Sequence, residues 1–309
     1  MMSGIPECPR DLEAAMALAA RELAARADLE AEDLRYFSAG LEFLVCRGRL
    51  RGVGEIVVRF PWVRWIHNDN DVDLDARDLL RQEAELLQFA RSVGIPAPRV
   101  VKLSLGDACD FLVTEYLEHD DSEPDPRELG EILARLHGAA APVRAPVLHF
   151  GQSTDEVLAQ RLRHRADVCE RLGGVRLGLP DAARMRAELR SFPARRRLLH
   201  MDFRRANILA REGRVAGVID WSNALTGDPA LEVCRIAEFR EQPAGLTDGY
   251  GGAAAWPVAP PVVDLLYRLD TAVMLGVVFL SEAPDAGKAA VQLARIDELA
   301  FELNWRMPR

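Results

Sequence analysis

The feature that most constrains this 309-residue chain is the stretch at 198–221, LLHMDFRRANILAREGRVAGVIDW. Four polar residues interrupt its apolar runs: His200, Asp202, Asn207 and Asp220. A solitary aspartate or asparagine at the end of a strand is usually a cap or turn residue. Four polar residues interspersed with strand-like apolar runs predict instead one polar site, assembled on short strands.

These residue types meet the needs of phosphoryl transfer from a nucleotide. That reaction asks for little covalent chemistry from a protein, but it needs a carboxylate at the attacking hydroxyl and oxygen ligands for Mg²⁺. Asp202, Asn207 and Asp220 supply such a set. A hydrolase built on His200 and Asp202 is a weaker alternative, because no serine or cysteine nucleophile lies in a G-x-S-x-G context.

Three motifs in this region carry a resemblance to a known family. HMDFRRANIL (200–209), VIDW (218–221) and GDPALE (227–232) resemble the H-x-D-x-x-x-x-N, I-D-W and G-D-P-x-x-D/E motifs of the aminoglycoside phosphotransferase and choline-kinase-like family. LGEILARLHGA (129–139) also resembles the first helix of that family's C-terminal lobe. The resemblance extends over roughly residues 35–280.

The resemblance implies an α+β, bilobal protein-kinase-like fold, with a β-rich N-lobe and a mainly helical C-lobe. Residues 1–116 would form the nucleotide-binding lobe, including an N-terminal helix at 10–27, and residues 117–309 the helical lobe with the catalytic loop and substrate site. The apolar patterns agree with this order. They predict strands at 41–48 and 55–62, a helix at about 76–93, two strands within 100–117, and helices from 127 onward.

Carried over by position, the motifs imply a role for each polar residue. Asp202 would accept or orient the proton of the substrate hydroxyl, while Asn207 and Asp220 would hold Mg²⁺ against the nucleotide phosphates. His200 and Asp228 would support the catalytic loop structurally.

Two arginines stand where the resemblance leads one to expect lysines. A kinase fold uses a cation on its third strand to hold the α and β phosphates, paired with a glutamate on the next helix. Arg59 in EIVVRFP and Glu83 match these positions, although a solvated strand residue is the alternative for Arg59, and Lys102 is a weaker candidate cation. Arg204 would face the transferred phosphoryl group and stabilise its charge, with a surface ion pair as the alternative.

The expected nucleotide site has only part of a glycine-rich loop motif. The segment FSAGLEFLV contains Ser38 and Gly40 but no G-x-G-x-x-G pattern. Backbone amides and the Ser38 hydroxyl could contact phosphate, whereas a plain tight turn explains Gly40 equally well. Glu115 and Tyr116, in the segment between the lobes, complete the expected nucleotide-binding set, and the sequence does not choose between ATP and GTP.

The acceptor is expected to be a small molecule. Only six residues, WSNALT, separate Asp220 from the GDP turn, whereas protein kinases need a longer segment there to dock a peptide. Acidic and aromatic residues of the C-lobe are candidates for acceptor contacts, although each fits an ordinary surface or core role as well. They are Asp264, Asp270, Glu298, Glu302, Trp256, Tyr267 and Trp305.

Composition limits the possible partners and compartment. A net charge of -9 opposes association with nucleic acid or an anionic membrane. The N-terminus lacks a basic region followed by an apolar run, and the five cysteines form no C-x-x-C pair, which together predict free thiols in the cytoplasm. The apolar run at 271–280 is too short to span a bilayer and predicts a buried helix, while the oligomeric state is undetermined.

Three functions remain at this stage. The first is a nucleotide- and Mg²⁺-dependent O-phosphotransferase that acts on a small hydroxylated compound, for which we expect an antibiotic. The second is a metabolic kinase for an amino alcohol, a sugar or homoserine. The third is a catalytically silent nucleotide-binding protein, which the arginine at position 59 favours and the intact Asp202, Asn207 and Asp220 oppose.

Overall fold

The computed structural model describes most of the chain. It covers residues 31–307, apart from 72, 107–108, 141–145, 193–194 and 241, together with positions 17, 20, 21 and 23–25. The helix predicted at 10–27 therefore lies mainly outside the described residues. Leu23, which is described, is buried in the core of the N-lobe sheet.

The N-lobe is built on a five-stranded antiparallel sheet. Its strands, in spatial order, are β1 (Ala31–Ala39), β2 (Phe43–Leu50), β3 (Gly54–Pro61), β7 (Phe111–Glu115) and β6 (Val100–Ser104). Two short strands, β4 (Trp65–Ile66) and β5 (Leu74–Asp75), pair beside it. The predicted strands of this lobe are present, and β1 is an addition that the sequence pattern did not indicate.

Strand β3 shows how alternation positions a charged group. Ile56, Val58 and Phe60 are buried against the sheet's core, so the intervening Val57 and Arg59 project from the opposite face. That opposite face is the one that lines the space between the lobes. The one arginine of this strand is thereby directed toward the cleft.

Helix α1 (Ala76–Ser92) packs against this sheet and matches the helix predicted at about 76–93. Asp75 caps its N-terminus by accepting a hydrogen bond from the Arg77 backbone amide at 2.9 Å. Its buried face includes Leu79, Leu80 and Leu87 and also one carboxylate, that of Glu83. A buried carboxylate on an apolar helix face requires a partner, which lies in the cleft.

The C-lobe is mainly helical. Its helices, in chain order, are α2 (Pro126–Gly138), α3 (Thr154–Gly173), α4 (Ala182–Ser191), α5 (Pro229–Glu238), α6 (Leu246–Tyr250), α7 (Pro261–Val277) and α8 (Ala286–Arg306). The segment predicted as a buried helix at 271–280 forms the end of α7 and continues into a π-helical turn, Val278–Glu282. None of the described helices is long and apolar enough to cross a bilayer.

Short strands interrupt the helices, as the sequence predicted. They are β8 (Arg197–Leu199), β9 (Ile208–Arg211), β10 (Arg214–Val218) and β11 (Leu225–Gly227). β9 and β10 form a hairpin, and β11 pairs with β8. The loop between β8 and β9, residues 200–207, is the catalytic loop of the sequence prediction.

Helices α2 and α6 approach each other at two glycines. A Cβ atom on Gly130 would lie 2.1 Å from the carbonyl oxygen of Leu246, and one on Gly249 would lie 2.0 Å from that of Arg127. Any side chain at either position would therefore force the helices apart. This contact fixes α2 and α6 beside the catalytic loop.

Candidate active site

His200 begins the catalytic loop as a fully buried support. Its Nε2 lies 3.0 Å from the Ile219 carbonyl oxygen, and its Nδ1 accepts the Asp202 backbone amide at 3.2 Å. These two partners assign the ring proton to Nε2. The ring also packs on Trp221, with 4.5 Å between ring centroids. His200 therefore links the catalytic loop to the segment that carries Asp220, with both nitrogens committed to backbone groups.

Asp202 is held on both sides. Its Oδ1 accepts the Arg204 Nε at 2.9 Å, and its Oδ2 accepts the Asn207 Nδ2 at 2.6 Å. Asn207 Nδ2 also donates to the Asp202 carbonyl oxygen at 3.0 Å. Because the amide nitrogen of Asn207 is committed in this way, its Oδ1 is the atom available for a cation.

Asp220 follows β10 in a left-handed backbone conformation, with φ of 64°. Its Oδ1 accepts the Ser222 hydroxyl at 2.8 Å and lies 3.4 Å from Arg59 Nη2. Burial by itself raises the pKa of the Asp220 carboxyl, but Arg59 and Ser222 more than offset this and lower it. The group is therefore an anion at neutral pH.

The donor set fits Mg²⁺. Asn207 and Asp220 offer hard oxygen ligands in one cavity, and Mg²⁺ commonly takes one or two such side chains together with substrate phosphates. Within the described residues, no group of three or more His, Cys, Asp and Glu side chains forms a protein cage for a metal. Glu42, which the sequence analysis missed, lines the same cavity, and burial first, then the charge of Asp220, raise the pKa of its carboxyl to about 7.

Arg59 and Glu83 form the cation and glutamate pair of the cleft. Arg59 Nη1 lies 3.1 Å from Glu83 Oε1, while the Glu83 carboxylate accepts the backbone amides of Asp220 at 3.3 Å and Trp221 at 2.6 Å. Burial raises the pKa of Glu83, and Arg59 opposes that shift. Burial would lower the pKa of Arg59, but Glu83 and Asp220 raise it overall. Arg59 is thus a buried, charged group that contacts Glu83 of the N-lobe and Asp220 of the C-lobe.

Replacing Arg59 tests this bridge. We expect Arg59→Ala to lose about 3 kcal/mol of unfolding free energy, because it leaves the buried Glu83 carboxylate unpaired. Nucleotide affinity should fall about tenfold or more, and Arg59→Lys should recover part of both losses. Urea unfolding and calorimetric titration with a nucleotide analogue measure the two effects. An Arg59→Ala protein with wild-type nucleotide affinity would contradict the assignment, and Arg64→Ala, an exposed arginine of the same lobe, is the control.

The cleft between the lobes is a cavity of about 580 Å³. The structure brings most of the sequence-predicted site residues to its walls: Ser38, Gly40, Arg59, Glu83, Glu115, Tyr116, Asp202, Arg204, Asn207 and Asp220. His200 and Asp228 lie behind the walls. A volume of this size suits a small-molecule or nucleotide ligand.

The individual nucleotide-site residues differ in what they can contribute. The Gly40 amide donates to the Phe43 carbonyl oxygen at 2.9 Å, so this amide closes the turn between β1 and β2. The Glu115 carboxylate accepts the Arg99 amide at 2.8 Å and so braces the segment between the lobes. Tyr116 packs edge-on against Phe37, with centroids 6.1 Å apart, and forms an aromatic wall at the cleft.

Glu232 is the functional residue that sequence analysis quoted without assigning. Its buried carboxylate accepts the backbone amides of His200 at 3.2 Å and Met201 at 2.7 Å, and His137 Nε2 lies 2.8 Å away. His137 Nδ1 in turn lies 2.9 Å from the Tyr250 hydroxyl. Glu232 therefore holds the catalytic loop through the backbone amides of its first two residues. One of these residues, Met201, adopts a left-handed φ of 63°. In the sequence, the glutamate that ends the GDPALE motif and the histidine of LARLHG were the residues from which this support could have been predicted.

Asp228 has a more distant role than Glu232. Its carboxylate accepts the Ala230 amide at 2.9 Å, which caps α5, and the Arg195 amide at 2.8 Å, just before β8. It braces the strand that leads into the catalytic loop, while Glu232 holds the loop itself.

Glu232→Gln provides a pH-dependent test of this support. Burial raises the pKa of the Glu232 carboxyl, but His137 and backbone donors outweigh it, so the folded-state pKa lies below the ordinary 4.5. The stability it provides is therefore present above pH 4.5 and is lost as pH falls through the folded-state pKa. We expect Glu232→Gln to cost about 3 kcal/mol at pH 7 and progressively less in acid.

Urea unfolding at pH 7 and at acid pH measures the difference between Glu232→Gln and wild type. Glu131→Gln, an exposed glutamate of α2, is the control and should unfold like wild type at both values. A penalty that is the same at neutral and acid pH would contradict the account.

The acceptor-site candidates of the C-lobe are not part of this cleft. Asp270 is fully buried and accepts two hydrogen bonds from the Arg161 guanidinium, and Tyr267 is part of the core. Glu298 and Glu302 pair with arginines on the outer face of α8. Neither these four residues nor Asp264, Trp256 and Trp305 line the nucleotide cavity among the described residues.

The chain forms a β-rich lobe and a helical lobe, which meet at a cleft that contains two aspartates, an asparagine and a buried cation. This combination defines a kinase-like phosphotransferase. Residues 33–266 match the model of the phosphotransferase enzyme family, and the chain belongs to that family. The family resemblance, the bilobal α+β fold and the enzyme class inferred from the sequence are thereby confirmed.

Individual proteins similar to this chain match it over a short segment or at low sequence identity. The chain is 46% identical to hygromycin-B 4-O-kinase of Escherichia coli over 48 residues, a match that spans 16% of this chain and 14% of that protein. Among solved structures, it is similar to aminoglycoside phosphotransferase APH(4)-Ia, with a TM-score of 0.59, 17% identity, and coverage of 92% of this chain and 98% of the other. A choline/ethanolamine kinase family protein from Mesorhizobium loti gives a TM-score of 0.59, 19% identity, and coverage of 91% and 93%. At such identities the structural similarity concerns the fold.

Proposed function

We propose that this protein transfers the γ-phosphoryl group of a nucleoside triphosphate to a hydroxyl of a small molecule in the cytoplasm, and that the acceptor is an antibiotic. The proposal depends chiefly on one observation: Asp202, Asn207 and Asp220 line the same cavity as the Arg59 and Glu83 pair. A silent nucleotide-binding protein has no need for a carboxylate at the acceptor position.

Each residue then has a distinct task. Arg59, kept charged by Glu83, binds the α and β phosphates with its guanidinium, while Asn207 and Asp220 would hold Mg²⁺. The chemistry that Mg²⁺ would supply there is neutralisation of phosphate charge. Asp202 orients the acceptor hydroxyl and takes its proton, and its orientation is fixed by the hydrogen bond from Asn207.

Arg204 has two tasks in sequence. Before the acceptor binds, its Nε donates to Asp202 Oδ1 at 2.9 Å. Once the hydroxyl takes that place, the guanidinium is free to turn toward the transferred phosphoryl group, because the residue lines the same cavity. The surface ion pair and the catalytic role considered for Arg204 are thus two states of one side chain.

A small acceptor is supported by the segment after Asp220. Trp221 is fully buried, and Leu225 already pairs with Leu199 as β11 joins β8. The chain therefore returns to the lobe's core within a few residues and leaves no extended platform for a peptide.

An antibiotic acceptor is supported by the relatives. The partial match is to a hygromycin-B kinase, and a mutant of APH(4)-Ia has been crystallised as a ternary complex with AMP-PNP and hygromycin B. The similarity to a choline/ethanolamine kinase family protein favours a metabolic acceptor as the second candidate.

Expression in a susceptible bacterium tests the proposal. Wild type and Asp202→Asn are compared against aminoglycoside, peptide, macrolide and nucleoside antibiotics, and purified protein is assayed for ADP or GDP release with the same compounds and with amino alcohols, sugars and homoserine. Protection and turnover by wild type alone would identify the acceptor and the preferred nucleotide. Turnover of a metabolite without protection would favour the metabolic kinase, and nucleotide binding without any turnover would favour the silent protein.

A further inference from the structure

A second cavity, of about 630 Å³, borders the catalytic loop outside the nucleotide cleft. We refer to it as the loop cavity. Its apolar walls come from α2, the catalytic loop with β9, α5 and α6, and include Leu129, Phe203, Ile208, Ile236 and Leu246. A cavity of this volume, with apolar walls and a few polar groups, has the character of a small-molecule site.

The loop cavity is continuous with the reaction centre through the chain. Phe203, Arg204 and Arg205 follow Asp202 directly, and all three line the cavity. Arg204 lines both the loop cavity and the nucleotide cavity. A ligand in the loop cavity therefore contacts the side chain that covers Asp202 Oδ1.

The charges at the cavity favour one class of ligand. Three arginines line the cavity, Arg204, Arg205 and Arg240, against two acidic residues. Glu123 pairs with Arg205 at 3.4 Å, and Asp125 caps α2 through the Arg127 amide at 2.9 Å, where the partial positive charge of the helix N-terminus offsets its own. Arg240 adds an exposed positive charge at the rim. Apolar walls with such a rim suit a neutral or anionic amphiphile and disfavour an ammonium group.

The walls are also preformed. Gly130 and Gly249 hold α2 and α6 in backbone contact, so Leu129 and Leu246 keep their positions without a ligand. A rigid cavity binds without the cost of ordering its own walls.

We propose that the loop cavity is an acceptor subsite, which binds the apolar, uncharged or anionic body of the acceptor while its hydroxyl replaces Arg204 at Asp202. This inference rests on the proposed phosphotransferase function and specifies the class of acceptor. The acceptor is a hydroxylated compound with a substantial apolar part, and polycations without such a part are poor substrates.

Two tryptophan variants in one loop form a matched pair. Gln242 is exposed and lines the cavity, so Gln242→Trp fills its mouth, whereas Ala244 is exposed in the same loop and does not line it. Binding of 8-anilinonaphthalene-1-sulfonate, a fluorescent apolar anion, is measured for both variants and wild type. We expect binding about tenfold weaker for Gln242→Trp and unchanged for Ala244→Trp, with equal affinity of all three for a nucleotide analogue.

Acceptor kinetics provide the second readout. For any acceptor that wild type phosphorylates, Gln242→Trp should raise the acceptor KM about tenfold and leave the nucleotide KM unchanged. Equal dye binding by Gln242→Trp and wild type, or an unchanged acceptor KM, would overturn the subsite while phosphotransfer itself stands. If no compound is phosphorylated, the proposed function fails. Weaker dye binding by Gln242→Trp alone would then show that the cavity binds an apolar anion, independently of that failure.

Discussion

Asp202→Asn should lower kcat by about 10³-fold while leaving nucleotide affinity nearly unchanged. The substituted amide occupies the same space and retains one oxygen, but it cannot take the acceptor's proton. Because Asp202 contacts Asn207 and Arg204 but not Arg59, the cation proposed to bind the α and β phosphates, the loss should appear in the chemical step. Steady-state kinetics with the acceptor found by screening, together with calorimetric titration of a nucleotide analogue, separate the two quantities.

The control for Asp202→Asn is Asp248→Asn. Asp248 is exposed on α6 and pairs with Arg127, outside the nucleotide cavity. It should keep wild-type kcat and unfolding midpoint. Retention of more than a tenth or so of wild-type kcat by Asp202→Asn would remove Asp202 from the role of base.

Asp220→Asn should abolish the Mg²⁺ dependence of nucleotide binding and lower kcat/KM by about 10³-fold. Of the two expected metal ligands, Asp220 is the charged one, and it is also one of the two carboxylates that pair with Arg59. The substitution removes this charge. Titration of a nucleotide analogue with and without Mg²⁺ measures the first effect directly. Wild type should bind more tightly with the metal, and the variant should bind equally in both conditions.

Asp78→Asn is the matched control for Asp220→Asn. It changes a half-buried aspartate of α1 that pairs with Arg81 and lies outside the nucleotide cavity, so its Mg²⁺ response should equal that of wild type. A strong Mg²⁺ response in Asp220→Asn would show that other groups hold the metal, with Glu42 the next candidate because it lines the same cavity.

Much of the architecture was predictable because it has local causes. Alternation in β3 directs Arg59 away from the core, and the motif spacing brings Asp202, Asn207 and Asp220 to one cavity. Strand β1 was missed because most of its residues are exposed, so its sequence shows no alternation of apolar and polar residues. Its pairing with β2 provides the backbone hydrogen bonds that make it a strand.

Other features depend on contacts between distant parts of the chain. Glu232 reaches the amides of His200 and Met201 only because α5 packs beneath the catalytic loop. The loop cavity joins residues from three separate stretches of the sequence, 123–129, 203–213 and 236–246, and no sequence pattern predicts that these stretches meet. The roles assigned to Arg204 and to the nucleotide-site residues remain predictions for the experiments above.

The hydrogen bond between Arg204 and Asp202 also bears on idle turnover. Without an acceptor, a water molecule in the cleft competes as the nucleophile, and Asp202 is the base proposed to take its proton. Both oxygens of that carboxylate already accept hydrogen bonds, one from Arg204 and one from Asn207. We therefore expect little futile hydrolysis, so that a cell could keep the protein at high concentration between encounters with its acceptor without draining its triphosphate pool.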